Sequence, residues 1–413
     1  LEDLKEDDYC QLIPDLDHDT VQTVITSVES KIEKVTQSLS NQVFYHTSPH
    51  HDDILLGLLP HIHRLSRNET NQSHFAIMTS GFTAVTNNFL ISLIKDTISF
   101  LEQDLIQMVE YPDFFESGYR YKRDKDVYHY LIKVASGHPE ERQRAFSHRL
   151  VRDIIEFWEV KNKEQLRNQL QKILSITRNR YDGEEDHPKI QMLKGAVREF
   201  EDELVWACFG MRSEDIHHLR LGFYNSDSFT EKIKQESDVE SVIQQFRTIQ
   251  PTVVSLAFDP EGNGPGTHYK ALQTIAEALR EWGKSTDLKD LKIWGYRNVW
   301  HRFHPSEASH IVPVSLNAMS IMDSTYTNSY RSQVDASFPS YMLDGKFSDL
   351  SMQIWVEQLQ AIQLLLGKPF FYQNESPRLR TTHGLLYFKE MTVNDFLEHA
   401  RELEKSMEGS ISI

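Results

Sequence analysis

The sequence predicts an α/β protein: a mostly parallel sheet flanked by helices, with a mainly helical insertion. Two observations carry this reading. Short apolar runs with β-branched or aromatic centres (VFYHT at 43–47, SHFAIM at 73–78, PTVVSLAF at 251–258) each lead through a turn into a helical pattern. That alternation builds βαβ units. Between the second and third runs, from 89 to 206, strand-like alternation is scarce and helical periodicity is sustained. That block is too apolar and too regular for a disordered linker.

In chain order, residues 1–40 read as an acidic arm and a helix, with apolar positions at Val21, Val24, Ile25, Val28, Ile32 and Val35 at helical spacing. The main α/β domain is expected over 41–388. Its first strand, at about 42–47, breaks at Ser48-Pro49, and Ile54–Leu65 follows as a helix that Pro60 kinks or starts. The second strand runs into TSGFTAVTNN, whose hydroxyl and amide residues suit caps and turns. The helical insertion takes up about 89–190, and DGEEDHP (182–188) turns the chain into an amphipathic helix over 192–210 that Gly210 ends. DIHHLRLGFY (215–224) reads as a strand and its exit loop, and 232–248 as a helix. The near-continuous apolar run at 251–258 reads as a central parallel strand. A Gly/Pro-rich loop then enters a helix near His268. LKIWGYRNVW (291–300) is another strand, followed by the polar and aromatic stretch HRFHPSEASHIVPVS and a helix at about 350–367. A C-terminal helix and tail are expected over 389–413.

Charge and cysteine usage narrow the function. With 61 acidic against 44 basic residues, the net charge of −17 argues against nucleic acid or an anionic membrane as the main partner. Two cysteines provide neither a disulfide framework nor a cysteine metal cluster, which points to a cytoplasmic setting. No apolar run approaches the roughly 18 residues of a membrane span. The first residues, LEDLKEDDYC, lack the basic and apolar regions of a signal peptide, and the start at Leu1 points to a missing upstream piece.

The densest chemical signal is VFYHTSPHHDDILLG, residues 43–57. It places His50, His51, Asp52 and Asp53 where a strand hands over to a helix, the edge at which α/β proteins bind ligands. His50 and Asp53, three apart, can face one point across a helical turn. His268, in the loop after the strand at 251–258, is the candidate third member. Two imidazoles and a carboxylate form a catalytic zinc set, and the remaining carboxylate, Asp52, suits a general base. Spacing alone leaves this open: with 19 histidines in the chain, adjacent pairs such as His50-His51 and His217-His218 also arise as plain surface residues.

SPHHDDILLG resembles the signature of the PIG-L/LmbE-like N-acetylglucosaminyl deacetylase family, whose usual form is Pro-His-Pro-Asp-Asp-Glu. The resemblance implies a Rossmann-like fold and a Zn2+-dependent hydrolase that removes an acyl group from an N-acylated amino sugar or sugar phosphate. It implies His50, Asp53 and His268 as zinc ligands and Asp52 as base, with GPGTHYK standing where the family has its second histidine motif. VREFEDELVWACFG, HHLRLGFY, FDPEGNGPGTHYKALQ, IWGYRNVWHRFHPSE and YRSQ further resemble the deacetylase-like portion of bacterial glucosamine-6-phosphate deaminase-like proteins. In those, this portion can follow a sugar-phosphate isomerase-type domain. The likeness runs over most of residues 40–350.

The chain departs from the family at His51, which replaces Pro, at Ile54, which replaces Glu, and at Pro265 and Thr267, which stand where the second motif carries its acid residues. Another proton donor is therefore needed, and His51 and His304 are the candidates. Arg198 and Glu201 match an Arg-x-x-Glu element whose arginine reaches toward substrate. Arg220, Arg297 and Arg302 are candidate anion contacts, and Tyr330, Arg331, Ser332 and Gln333 shape the site rim. Asp259 is placed either to orient a ligand histidine or to cap a turn. The expected partner is a small amino sugar or sugar phosphate, and a homo-oligomer is compatible with the sequence. A non-catalytic sugar-binding or regulatory domain, or a deaminase-related protein acting on another bond, are the alternative readings.

Overall fold

The computed structural model describes residues 5–13, 16–116, 120–182, 184–224, 232–259, 266–336 and 345–410. Its centre is a seven-stranded sheet: β1 (Val43–Ser48), β2 (Gln72–Ile77), β3 (Ile216–His218), β4 (Val253–Ala257), β5 (Lys292–Tyr296), β6 (His310–Ser315) and β7 (Thr382–Thr392). The spatial order is β3-β2-β1-β4-β5-β7-β6. The first five are mutually parallel, and β7 runs antiparallel to both β5 and β6. This is the predicted mostly parallel α/β architecture. β1 and β4 are buried along nearly their whole length, which suits their apolar starts, and the polar residues His46, Thr47 and Ser255 within them are hydrogen-bonded to one another.

Helices cover both faces. α1 (His18–Lys34) is started by Asp17, whose carboxylate accepts from the Thr20 amide. α2 (Asp53–Leu65) follows β1 directly and runs through Pro60. Ten of its residues are buried, including Ile54, Leu55, Leu58, Leu59 and Ile62. At Gly57 a Cβ would lie 2.4 Å from the Tyr296 ring, so the helix rides on β5 only because glycine stands there. α3 (Asn87–Glu102), α4 (Arg120–Ala135), α5 (Pro139–Trp158), α6 (Lys163–Arg178) and α7 (Pro188–Ala207) form the insertion between β2 and β3. They enclose an apolar core of their own, from Leu90 and Ile94 through Phe146, Leu150, Leu166 and Ile173 to Phe200 and Leu204. α7 is shared: Phe200 and Leu204 join that core, while Val205 and Trp206 pack on the sheet. α8 (Glu240–Ile249), α9 (Gly266–Gly283), α10 (Leu316–Ser329), α11 (Phe347–Leu366) and α12 (Val393–Ser410) complete the layers. Among the described residues no helix is long and apolar enough to cross a membrane.

Two strands were not expected. β6 lies in the stretch read as polar and aromatic, and Pro313 within it removes a ladder donor. The structure resolves this by placing β6 at the sheet edge. β7 spans 388/389, the position read as the end of the main domain, and inserts between β5 and β6. The remaining 215–224 stretch is strand only over Ile216–His218. Part of the Gly/Pro-rich loop before α9, residues 260–265, lies outside the described residues.

Candidate metal centre and active site

The strand order reverses between β1 and β4: the chain moves outward from β1 through β2 to β3, and from β4 to β5 on the other side. The carboxyl ends of β1 and β4 therefore flank the crevice at which doubly wound sheets bind ligands. The loop after β1 carries His50, His51 and Asp52, and Asp53 opens α2. The end of β4 leads to Asp259, and the first turn of α9 carries His268.

These elements bring three donors together. His268 Nε2 lies 3.1 Å from Asp53 Oδ2 and 3.3 Å from His50 Nδ1, and His50 Nδ1 lies 3.4 Å from Asp53 Oδ2. Four ligands set tetrahedrally around zinc at roughly 2.0–2.1 Å stand about 3.3 Å from one another, so the three atoms already have the spacing of one face of that polyhedron. Their wider surroundings fit the same group. Asp259 Oδ2 is 2.5 Å from His268 Nδ1 and sets the tautomer that leaves Nε2 free for a metal. Asn298, just past β5, donates to Asp53 Oδ1 at 2.6 Å, and the His50 amide donates to Asp53 Oδ2 at 2.6 Å. Both carboxylate oxygens are thereby aimed.

The electrostatics of the donor set agree with a cation site. Burial draws the His268 imidazole down, but Asp53 and Asp259 on either side outweigh it and carry it up to about 10. A proton there occupies the place of positive charge. Burial alone would raise Asp53; His268 and His50 overcome it and hold the carboxyl well below the usual range. His50 is partly exposed and His268 and Asp53 are buried, so the set is held from behind and open in front.

Asp52 stands beside this set with 15% of its side chain exposed, and Arg198 Nη2 donates to its Oδ1 at 3.2 Å. Burial raises the proton affinity of Asp52, with Arg198 pulling against it. Arg198 is itself 1% exposed, donates to Glu201 Oε2 at 2.9 Å, and lies 5.0 Å over the Tyr330 ring. Glu201 in turn accepts from the Ser332 amide at 2.5 Å and the Ser332 hydroxyl at 2.8 Å. The Tyr330 hydroxyl lies 2.6 Å from the His51 carbonyl and 2.8 Å from Asp202 Oδ1. Burial pushes Asp202 up to about 8, so near neutrality it carries a proton. That proton and the single one on Tyr330 make both hydrogen bonds and pin the backbone between His50 and Asp52.

The other expected residues are placed differently. The His51 ring is buried, turned toward Gly81 and stacked 6.0 Å from His218, with neither ring nitrogen hydrogen-bonded. A Cβ at Gly81, where φ is +62°, would come within 2.8 Å of its Nδ1. His304 is exposed and bonds within its own turn, to Ser306. Arg220 is paired through both nitrogens with Glu199, at 2.5 and 2.7 Å. Arg297 is spent on the Phe258 and Arg302 carbonyls and on Glu307, and Arg302 pairs with Glu357. Gln333 is buried and donates to the Ala84 carbonyl at 2.9 Å. Sequence reasoning missed Asn298 and Asp202. The position of Asn298 two residues beyond a strand end is the one signal that could have found it.

Fold and site together define an α/β protein with a candidate His-Asp-His metal centre at a topological switch point. A scan of known protein families matches none. A protein from Bacteroides thetaiotaomicron described as glucosamine-6-phosphate deaminase-like is 28% identical over 146 residues, which cover 35% of this chain and 22% of that protein. Among solved structures, the N,N'-diacetylchitobiose deacetylase of Pyrococcus horikoshii aligns over 93% of this chain and 97% of its own, at 13% identity and a TM-score of 0.39. A likeness that loose aligns no side chains.

Proposed function

We propose that this chain is a zinc-dependent hydrolase that removes an acyl group, acetyl in the simplest case, from the nitrogen of an amino sugar or its phosphate. The observation that carries the reading is the spacing of His50 Nδ1, Asp53 Oδ2 and His268 Nε2 with a second carboxylate, Asp52, next to Asp53. His50, Asp53 and His268 would hold the ion, which supplies Lewis acidity toward the amide carbonyl when bound.

The chain's own groups carry the protons. Asp52 accepts a proton from the water that attacks the acyl carbon, and Arg198 keeps its carboxylate aimed while the other face stays open to the crevice. The C–N bond then breaks. Asp52, now protonated and adjacent, returns its proton to the departing nitrogen, so water and amide become carboxylic acid and free amine. This sequence needs no second acid, which suits the burial of His51 away from the donor set and the position of His304 in its own turn. Tyr330, Asp202 and Asn298 act by fixing the backbone and carboxylates from behind.

The test uses purified protein loaded with zinc. N-acetylglucosamine and its 6-phosphate are offered, and acetate, ammonia and free amine are each measured. Acetate with free amine is expected, and Asp52→Asn should lower turnover by at least about 100-fold while retaining zinc by elemental analysis. Ammonia without acetate would favour the deaminase-type reading, which the description of the Bacteroides relative motivates. Unchanged turnover in Asp52→Asn would remove the assignment of the base.

A further inference from the structure

Beside the metal centre, and separated from it by one aromatic ring, lies a second cavity of about 260 Å³. Tyr224 is the shared wall: its ring stands edge-on to His50 at 6.2 Å and edge-on to Phe82 at 5.5 Å. Phe82 and Tyr224 line the side nearer the sheet. Phe157 from the end of α5, with Pro188 and Met192 from the start of α7, line the other. The far wall therefore belongs to the helical insertion and not to the βαβ core.

The chemistry of the lining selects the occupant. The cation at the cavity, Arg220, is already neutralised by the two-point pairing with Glu199, so an anionic group gains no unpaired charge there and would have to displace a carboxylate. What remains is three aromatic rings, a proline and a methionine, with Gly195 and two uncharged polar side chains, Ser80 and Gln191, among them, a lining that takes up uncharged, largely apolar groups. A cavity of roughly 150 Å³ is enough for benzene, so this one has room for a six-membered ring with a linker.

We propose that this cavity is a specificity subsite for an uncharged apolar group carried by the amino-sugar substrate, and that the insertion exists to recognise it. The inference rests on the hydrolase reading of the adjacent centre and narrows its substrate class. Two positions on the sugar can carry such a group, the anomeric oxygen and the acyl chain, and both present the same chemistry to the cavity.

The experiment compares N-acetylglucosamine, its phenyl β-glycoside and N-hexanoylglucosamine with the zinc-loaded protein. Dissociation constants by calorimetry and amine release are read separately. At least one apolar derivative is expected to bind about 10-fold or more tightly than the parent sugar, and the derivative that does so identifies the position of the group. Met192→Trp, which fills the cavity, should reduce that preference to near unity, and Met192→Ala, which enlarges it and carries little risk to folding, should retain it. Equal binding of all three sugars, or a preference that survives Met192→Trp, would overturn the subsite. Tight apolar binding without amine release would leave the subsite standing and remove the hydrolase reading. Amine release with equal binding would do the reverse.

Discussion

Asp259 and Asn298 never touch the space where a substrate would lie, yet they aim two of the three candidate ligands. Asp259 fixes His268 through Nδ1, and Asn298 holds Asp53 through Oδ1. Partners of this kind change metal affinity by about 10- to 100-fold when removed. Asp259→Asn should therefore weaken zinc binding by a factor in that range, read by competition with a chromogenic chelator; unaltered affinity would mean His268 is oriented by something else. Asp202 gives a second prediction. Its folded carboxyl is raised to about 8 by burial while the unfolded chain ionises near the ordinary aspartate value, so between about pH 4 and 8 the folded state binds more protons. Stability should fall as pH rises through that window, by up to about 1.4 kcal/mol per unit. Asp202→Asn should flatten that contribution in urea melts across the same range. The residues readable from sequence were those in the dense polar cluster after the first strand, His50, Asp52 and Asp53; spacing only nominated His268, and the family resemblance singled it out. Arg198 was legible as a functional arginine but not as the partner of Asp52, since that contact joins positions 146 residues apart. Asp202 sits within an ordinary-looking helical repeat, and nothing in EFEDELVW separates it from Glu199, Glu201 and Glu203, which are buried as well.

Among the elements, α2 links the sheet to the site, because its first residue is a candidate ligand and its next turns are buried. Its closeness to β5 depends on Gly57. Gly57→Ala would set a methyl 2.4 Å from a Tyr296 carbon, and that ring is buried with its hydroxyl bonded to the Thr47 carbonyl at 2.9 Å. Neither can move freely, so overpacking should destabilise by about 1–3 kcal/mol and displace Asp53, weakening zinc binding as well. Denaturation midpoints and metal content together check this; a stable variant with full zinc would show that the helix can slide. The central parallel strands were legible because burial on both faces writes itself as a largely apolar run, while β3, Ile-His-His at the sheet edge, carries no such run. β6 and β7 were not, because an edge strand with a proline and its antiparallel neighbour follow no βαβ rhythm. The insertion was legible as helical, but its role in walling a cavity depends on Phe157 and Met192 coming together from separate helices.

For the molecule as a whole, buried histidines set the acid limit. Burial depresses His46 to about 3 and His148, His217 and His310 to about 4. All four stay neutral in the fold at pH values where the unfolded chain takes up protons. Below about pH 6.5 the unfolded state gains, and each group removes up to about 1.4 kcal/mol per pH unit, less for His217 and His310, which keep some contact with water. Asp202 works in the opposite sense over part of this range, as do Asp52, Asp126 and Glu201, which burial also raises, while burial depresses His51 and His61 along with the other four, so the imidazoles prevail. Thermal melts should show a steep decline between pH 6 and 4, and His46→Gln should make it shallower; a melting temperature flat to pH 4 would contradict the burial of these rings.

The position of β7 has a consequence for biosynthesis. A ribosome emits β6 well before β7, the strand it pairs with among the described residues, with the stretch from Ser315 to Thr382 still to come. At roughly 5–20 residues per second that interval is on the order of 3 to 13 s. Throughout it β6 has nothing to pair with, and β5, which is buried in the finished sheet, presents an open edge to any other strand within reach. Nascent chains stalled before Thr382 should therefore associate with one another or recruit a chaperone, as judged by their sedimentation, whereas chains released after Thr392 should not. The closing step of this sheet belongs to β7, and until it arrives the candidate metal ligands sit on a half-built platform.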